Sequence, residues 1–167
     1  MTKIKFRLAL LTTLFTISTI ISQELGLGAG VAVGTESSID DDLSGKMALG
    51  VNVRGLYKIT PKWGITSGAT YFFSTAPEPL ETTLYVFNFD GLYSFVKNPV
   101  IDFYGLVGFD VVYAKFEDTE DSNAYDDSQL SMELGLGIMS RIGLFFEAKA
   151  EGAIEQGQFT LGYIINL

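Results

Sequence analysis

The chain has no cysteine and no histidine. The first absence excludes a disulfide framework and any cysteine-based metal site. The second removes the usual general base and the commonest transition-metal ligand. Proline is scarce: Pro61, Pro77, Pro79 and Pro99 are the only four, and each falls between patterned segments. Basic residues are outnumbered, 11 against 20 acids, for a net charge of −9. That balance argues against nucleic acid and against a basic patch for an anionic membrane surface. Long hydrophobic runs are missing too. The one apolar run, Leu8 to Ile21, falls short of the ~20 residues that a spanning helix needs.

That run follows Lys3, Lys5 and Arg7 and ends at the small, polar Ser22 and Gln23. A basic start, a short apolar core and a small residue at the boundary predict a cleavable signal peptide over residues 1–22. Position 22 is not Cys, which argues against a lipid anchor. Cleavage takes away three of the 11 basic residues and no acid, leaving eight against 20 and a net of −12. Residues 23–167 are then one acidic domain that is 47% hydrophobic over the whole chain, too apolar for a disordered one.

From Glu24 onward the pattern has a period of two, the signature of strands with two different surroundings. Strand 1 (24–34) sets Leu25, Leu27, Ala29, Val31 and Val33 against Gly26, Gly28, Gly30 and Ala32. The same alternation recurs over 46–59, 63–74, 82–95, 101–114, 129–140, 144–154 and 158–167. In 82–95 the second face is mixed (Leu84, Val86, Asn88, Asp90, Leu92), so its register is the least clear. Connections alternate long and short. Thr60-Pro61-Lys62, Lys97-Asn98-Pro99 and Arg141 to Gly143 are the short ones.

Alternation alone does not say which face points inward. The apolar face carries no charge on any of the eight segments, and the opposite face is rich in glycine (Gly50, Gly64, Gly68, Gly108, Gly135, Gly137, Gly162). A soluble surface is roughly 25–35% charged, so a glycine face makes a poor exterior. It suits a crowded interior, because eight strands enclose just enough room for side chains. The apolar face therefore meets lipid, and in hydrocarbon a sheet can span only if it closes on itself. The expected fold is all-β: an eight-stranded antiparallel up-and-down transmembrane β-barrel. A soluble lipocalin-like ligand-binding barrel, apolar face inward, is the alternative.

The final segment, with Phe159, Leu161, Tyr163, Ile165 and Leu167 on one face, resembles the C-terminal strand of bacterial outer-membrane barrels. Together with the eight-fold meander it makes residues 23–167 resemble the small outer-membrane barrels of the OmpA, OmpX and opacity-protein type. The resemblance implies insertion by the barrel-assembly machinery, with the terminal strand as its signal. It also implies integral residence in a Gram-negative outer membrane among lipids and lipopolysaccharide, both termini periplasmic, no cofactor and no nucleic acid. Such barrels serve structural or adhesive roles or join a larger outer-membrane complex. Aromatic placement agrees with two interfacial belts. Tyr57, Trp63, Tyr93, Phe95 and Phe103 lie beside the short turns, and Tyr71, Phe73, Tyr85, Tyr113 and Phe159 beside the long loops.

On the inward face the charges Arg54, Asp90, Asp110, Glu133, Arg141, Glu147, Lys149 and Glu151 predict a lumen network, since buried charges demand partners. Lys58 and Asp102 join Arg141 near the short turns. The expected pairs are Lys149 with Glu133 and Arg54 with Asp90, and Glu133 should also lie close to Glu151. The network reads as a plug; a narrow cation-preferring channel is the sharper alternative. Of the 20 acids, 13 fall in the expected long loops, six of them over Glu117 to Ser128. Asp118, Asp121, Asp126 and Asp127 are candidate Ca²⁺ ligands, although their spacing is not that of an EF-hand. Solvated, self-repelling loops are the simpler reading.

Overall fold

The computed structural model describes residues 24–34, 48–73, 80–118, 124–152 and 156–167. These form β1 (Glu24–Gly34), β2 (Ala48–Lys58), β3 (Trp63–Phe72), β4 (Leu80–Lys97), β5 (Ile101–Asp118), β6 (Ala124–Ser140), β7 (Leu144–Glu151) and β8 (Gln156–Asn166). Each strand pairs antiparallel with the next, and β8 returns to β1 from Gly26↔Asn166 to Gly34↔Gln158, so the sheet closes as a barrel. Closure leaves no edge, which is the condition for a sheet in hydrocarbon. The expected signal peptide, 1–22, lies outside the described residues.

The short turns are set by local chemistry. Thr60 Oγ1 accepts from the backbone N–H of Trp63 at 2.9 Å. Asn98 Oδ1 accepts from Val100 N and Ile101 N, both at 2.9 Å. An Asn or Thr oxygen closing on a backbone N–H two or three residues on replaces a ladder bond where the chain reverses. Gly143, at φ +94°, supplies the left-handed residue that reverses β6 into β7.

Side chains face as the alternation requires. On β6, Leu130, Met132, Leu134 and Leu136 point outward at 62–69% exposure, while Glu133 between them is 2% exposed. Phe109 at 55%, Leu134 at 64% and Leu161 at 55% lie on the outer surface, which overturns the lipocalin-like alternative. Burying one large apolar side chain is worth roughly 1.5–3 kcal/mol. Dozens of them in water would forfeit far more than the ~5–15 kcal/mol by which a folded protein is stable. The surrounding medium is lipid.

The strands differ in length from the expectation on one side of the barrel. β4, β5 and β6 have 18, 18 and 17 residues, against 8–11 for the rest. The stretch expected as an acidic loop, 117–128, is mostly strand: β5 runs to Asp118, β6 starts at Ala124, and Glu117 pairs with Ala124. Charged residues weaken a strand pattern without breaking it, because a hairpin already in register can keep pairing into water. β7 conversely stops at Glu151 rather than 154. In β4 the mixed face is the inner one: Leu84, Val86, Asp90 and Leu92 are all buried. A bulge between Ser94 and Val96 inserts Phe95 as an extra residue, leaving Phe95 and Val96 both exposed.

Candidate functional site

The candidate site is the interior of the barrel, which is layered. Near the short turns, Leu56, Leu92, Tyr104, Leu106, Met139, Phe145 and Ile164 form one buried apolar cluster. Near the long loops, Ala32, Ala48, Phe72, Leu84, Val86, Val112 and Ala114 form a second, contributed among the described residues by β1 to β5. Charged side chains fill the level between them. The glycine-rich face predicts a lumen of small and charged residues, and the structure adds large apolar ones. The large inward apolar groups, each flanked by outward ones, were its overlooked signal.

Among the described residues three ion pairs cross the lumen between strands that are not neighbours. Lys58 on β2 meets Asp102 on β5 at 2.9 Å. Arg54 on β2 meets Glu147 on β7 at 2.5 Å. Lys149 on β7 meets Asp90 on β4 at 3.0 Å, and the same ammonium lies 3.2 Å from both oxygens of Glu133. All of these side chains are at least nine-tenths buried. Tyr104 donates to Glu147 Oε1 at 2.7 Å, and its ring occupies the space that a side chain at Gly137 would fill. Arg54 also donates from Nε to Asn52 Oδ1 at 3.0 Å and lies 4.3 Å above the centre of the Phe145 ring. Asn88 donates to Asp90 Oδ2 at 2.6 Å and Ser131 donates to Asp110, so Asn52, Asn88, Tyr104, Ser131 and Phe145 are network members that charge alone does not flag.

Two expectations are corrected. Arg54 does not take Asp90. Lys149 reaches that carboxylate from across the barrel, and Arg54 is satisfied between Asn52, Phe145 and Glu147. Arg141 is exposed on the β6–β7 turn and takes no part in the lumen. The turn begins one residue earlier than the inward alternation would need.

Toward the long-loop end two more carboxylates, Asp110 and Glu151, join Glu133. Glu133 and Glu151 face each other on β6 and β7. Asp110, on β5, accepts a hydrogen bond from Ser131 Oγ. One oxygen from each of Asp110, Glu133 and Glu151 lies within 4.8 Å of the other two.

The outward residues named from the sequence are placed as follows. Tyr71, Tyr85 and Tyr113 stand in one register row across β3, β4 and β5, with ring centroids 5.1 and 6.3 Å apart. Phe73 meets Tyr71 edge-on at 5.3 Å. At the other end Trp63 lies 4.7 Å from Tyr93, with Phe95 and Phe103 also outward and Tyr57 half-buried. Phe159 stacks on Phe146 at 6.3 Å. Phe87, Phe89 and Phe109 fill the outer face between the two groups; a ring with no polar tip needs no interface. Phe159, Leu161, Tyr163, Ile165 and Leu167 all face outward. Of the calcium candidates, Asp121 lies outside the described residues, and for Asp118, Asp126 and Asp127 only the backbone is described.

The family model for the outer membrane protein β-barrel domain matches residues 8–156. The chain belongs to this family. It is an integral outer-membrane barrel of the small eight-stranded kind. No curated protein matches it. Among solved structures it is similar to Ail, the attachment invasion locus protein of Yersinia pestis, crystallised with the heparin analogue sucrose octasulfate. That match has a TM-score of 0.56 at 19% identity and covers 86% of this chain and 97% of Ail. Neisserial surface protein A gives 0.64 at 11% identity, covering 87% and 97%. The N-terminal barrel domain of Pseudomonas aeruginosa OprF gives 0.53 at 10%, covering 85% and 97%. At these identities the likeness is one of fold.

Proposed function

We propose that this barrel is non-enzymatic and closed, a structural or adhesive element of the envelope rather than a pore. The observation that carries this reading is the packing of the lumen. Phe72, Tyr104, Glu133, Phe145 and Glu147 are each less than about 2% exposed. A water file through the barrel would wet them. A chain without histidine also lacks the usual means of general-base chemistry.

In this reading residues 1–22 are removed on export, and the assembly machinery recognises the β8 face ending in Leu167. The short turns and both termini stand on the periplasmic side. The aromatic groups sit at headgroup level among lipid and lipopolysaccharide. The tall β4–β6 ribbon is then displayed outward, as the surface for adhesion or for a larger envelope complex. Ail was crystallised with a polysulfated sugar. The acid excess here favours a cationic partner instead, since like charge repels a polyanion.

Planar-bilayer recording of the purified barrel tests the closed lumen: no unitary conductance is expected. Steady cation-selective steps would replace the plug with the channel alternative. Replacing residues 114–127 by Asn-Gly, which joins Tyr113 to its register partner Ser128, should leave a barrel that folds but no longer supports cell attachment. Unaltered attachment would remove the ribbon from the reading.

A further inference from the structure

We propose that Asp110, Glu133 and Glu151 form a binding site for one hard divalent cation, Ca²⁺ by its fit, at the long-loop end of the lumen. The three residues are 0%, 2% and 3% exposed and come from three adjacent strands, β5, β6 and β7. Three carboxylate oxygens within 4.8 Å of one another can close around a single ion, since Ca²⁺ takes oxygen ligands at 2.3–2.6 Å. Mg²⁺ demands a tighter shell and keeps its waters, so the wider spacing favours Ca²⁺.

The second observation is independent of the cluster's shape. Glu151 is buried, yet among the described residues neither of its carboxylate oxygens has a hydrogen-bond partner; Asp110 Oδ2 has none there either. A buried carboxylate left alone is costly. These two point at each other and at Glu133, whose own partner, Lys149, is shared with Asp90.

Among the described residues six acids are buried: Asp90, Asp102, Asp110, Glu133, Glu147 and Glu151. Only Arg54, Lys58 and Lys149 oppose them. Lys58 takes Asp102, Arg54 takes Glu147, and Lys149 bridges Asp90 and Glu133. Two carboxylates, Asp110 and Glu151, are left without a cation, and one divalent ion would balance them. The ligands are all oxygen, which suits a hard ion. Glu151 adjoins the exposed Gly152 at the mouth, which gives the ion a short way in. Bound there, it would tie the eight-residue β7 to the foot of the tall β5–β6 hairpin.

The test uses the purified barrel folded in lipopolysaccharide-free zwitterionic micelles and stripped with EDTA. Calorimetric titration with CaCl₂ should give one site per barrel, and millimolar CaCl₂ should raise the unfolding temperature. Glu151→Gln and Asp110→Asn keep size and remove charge. Each should weaken Ca²⁺ roughly tenfold or more, because affinity follows the number of charged ligands, and each should shrink the thermal shift. The quadruple change of Asp118, Asp121, Asp126 and Asp127 to Asn should leave both readouts in place. A wild-type barrel indifferent to Ca²⁺ overturns the site. So does a shift that survives Asp110→Asn/Glu151→Gln, or one abolished by the quadruple change alone. Calorimetry on folded protein keeps the outcome readable if one variant folds poorly, because the other single variant removes a ligand from a different strand.

Discussion

The two ends of the lumen solve the problem of buried charge differently. Toward the short turns, Lys58–Asp102 and Arg54–Glu147 match one cation to one carboxylate, and Tyr104 adds a hydrogen bond. Apolar side chains from seven positions pack around them. Toward the long loops the apolar packing among the described residues comes from β1 to β5. The β5–β7 wall there carries Asp110, Glu133 and Glu151, with one shared ammonium nearby. The contrast teaches where the barrel is finished and where it leaves room for something else. Paired charges in a packed shell act as a staple. Unpaired ones beside an opening act as a receptor for a missing charge.

Substitutions can break this comparison or sharpen it. Lys149→Met should be the most damaging, at about 3–5 kcal/mol in urea unfolding from micelles, because it strands Asp90 and Glu133 in the interior. A loss under 1 kcal/mol would mean that the two ends are not separated by this lysine. Leu136→Arg probes the outer face at the same level of the wall, where Leu136 is 63% exposed. It should cost about 2–4 kcal/mol at the bilayer midplane and lower the folding yield in lipid vesicles. An undiminished yield would reverse the facing of all eight strands. Tyr104→Phe removes a donor to a buried carboxylate at the finished end and should cost about 1.5–3 kcal/mol. Glu151→Gln, at the open end, should have the opposite sign in EDTA: no loss, or a gain of about 1 kcal/mol, since it deletes a buried charge that has no partner. If Tyr104→Phe and Glu151→Gln destabilise alike without metal, the two ends are chemically equivalent and the contrast fails.

Much of the architecture was legible in residues alone. A period of two over Leu25 to Val33, repeated through Phe159 to Leu167, needs only local sterics and two environments. Glycines facing leucines identify the crowded side. The interior was less legible because contacts there cross the barrel. Strand neighbours suggested Lys149 with Glu133, but Lys149 to Asp90 spans three strands, and so do Arg54 to Glu147 and Lys58 to Asp102. The rows of hydrogen-bonded partners also climb. From Gly26 near one end, the row passes Leu56, Thr66, Asp90, Gly108 and Glu133 to Glu151 near the other. Strand stagger therefore puts register partners at different heights, and sequence spacing does not predict who meets across the lumen. The reach of β5 and β6 into an acidic stretch was hidden for another reason. Charge lowers strand propensity locally, while a hairpin's register is set further down.

The order of residues by itself determined that this polypeptide alternates, which of its faces is oily, and where it must turn, because those depend on neighbours one to three positions away. Only the closed tertiary structure decided which acids found a lysine or arginine and which two, Asp110 and Glu151, were left without one. That choice depends on distances across a cylinder whose circumference and stagger exist only once β8 has met β1.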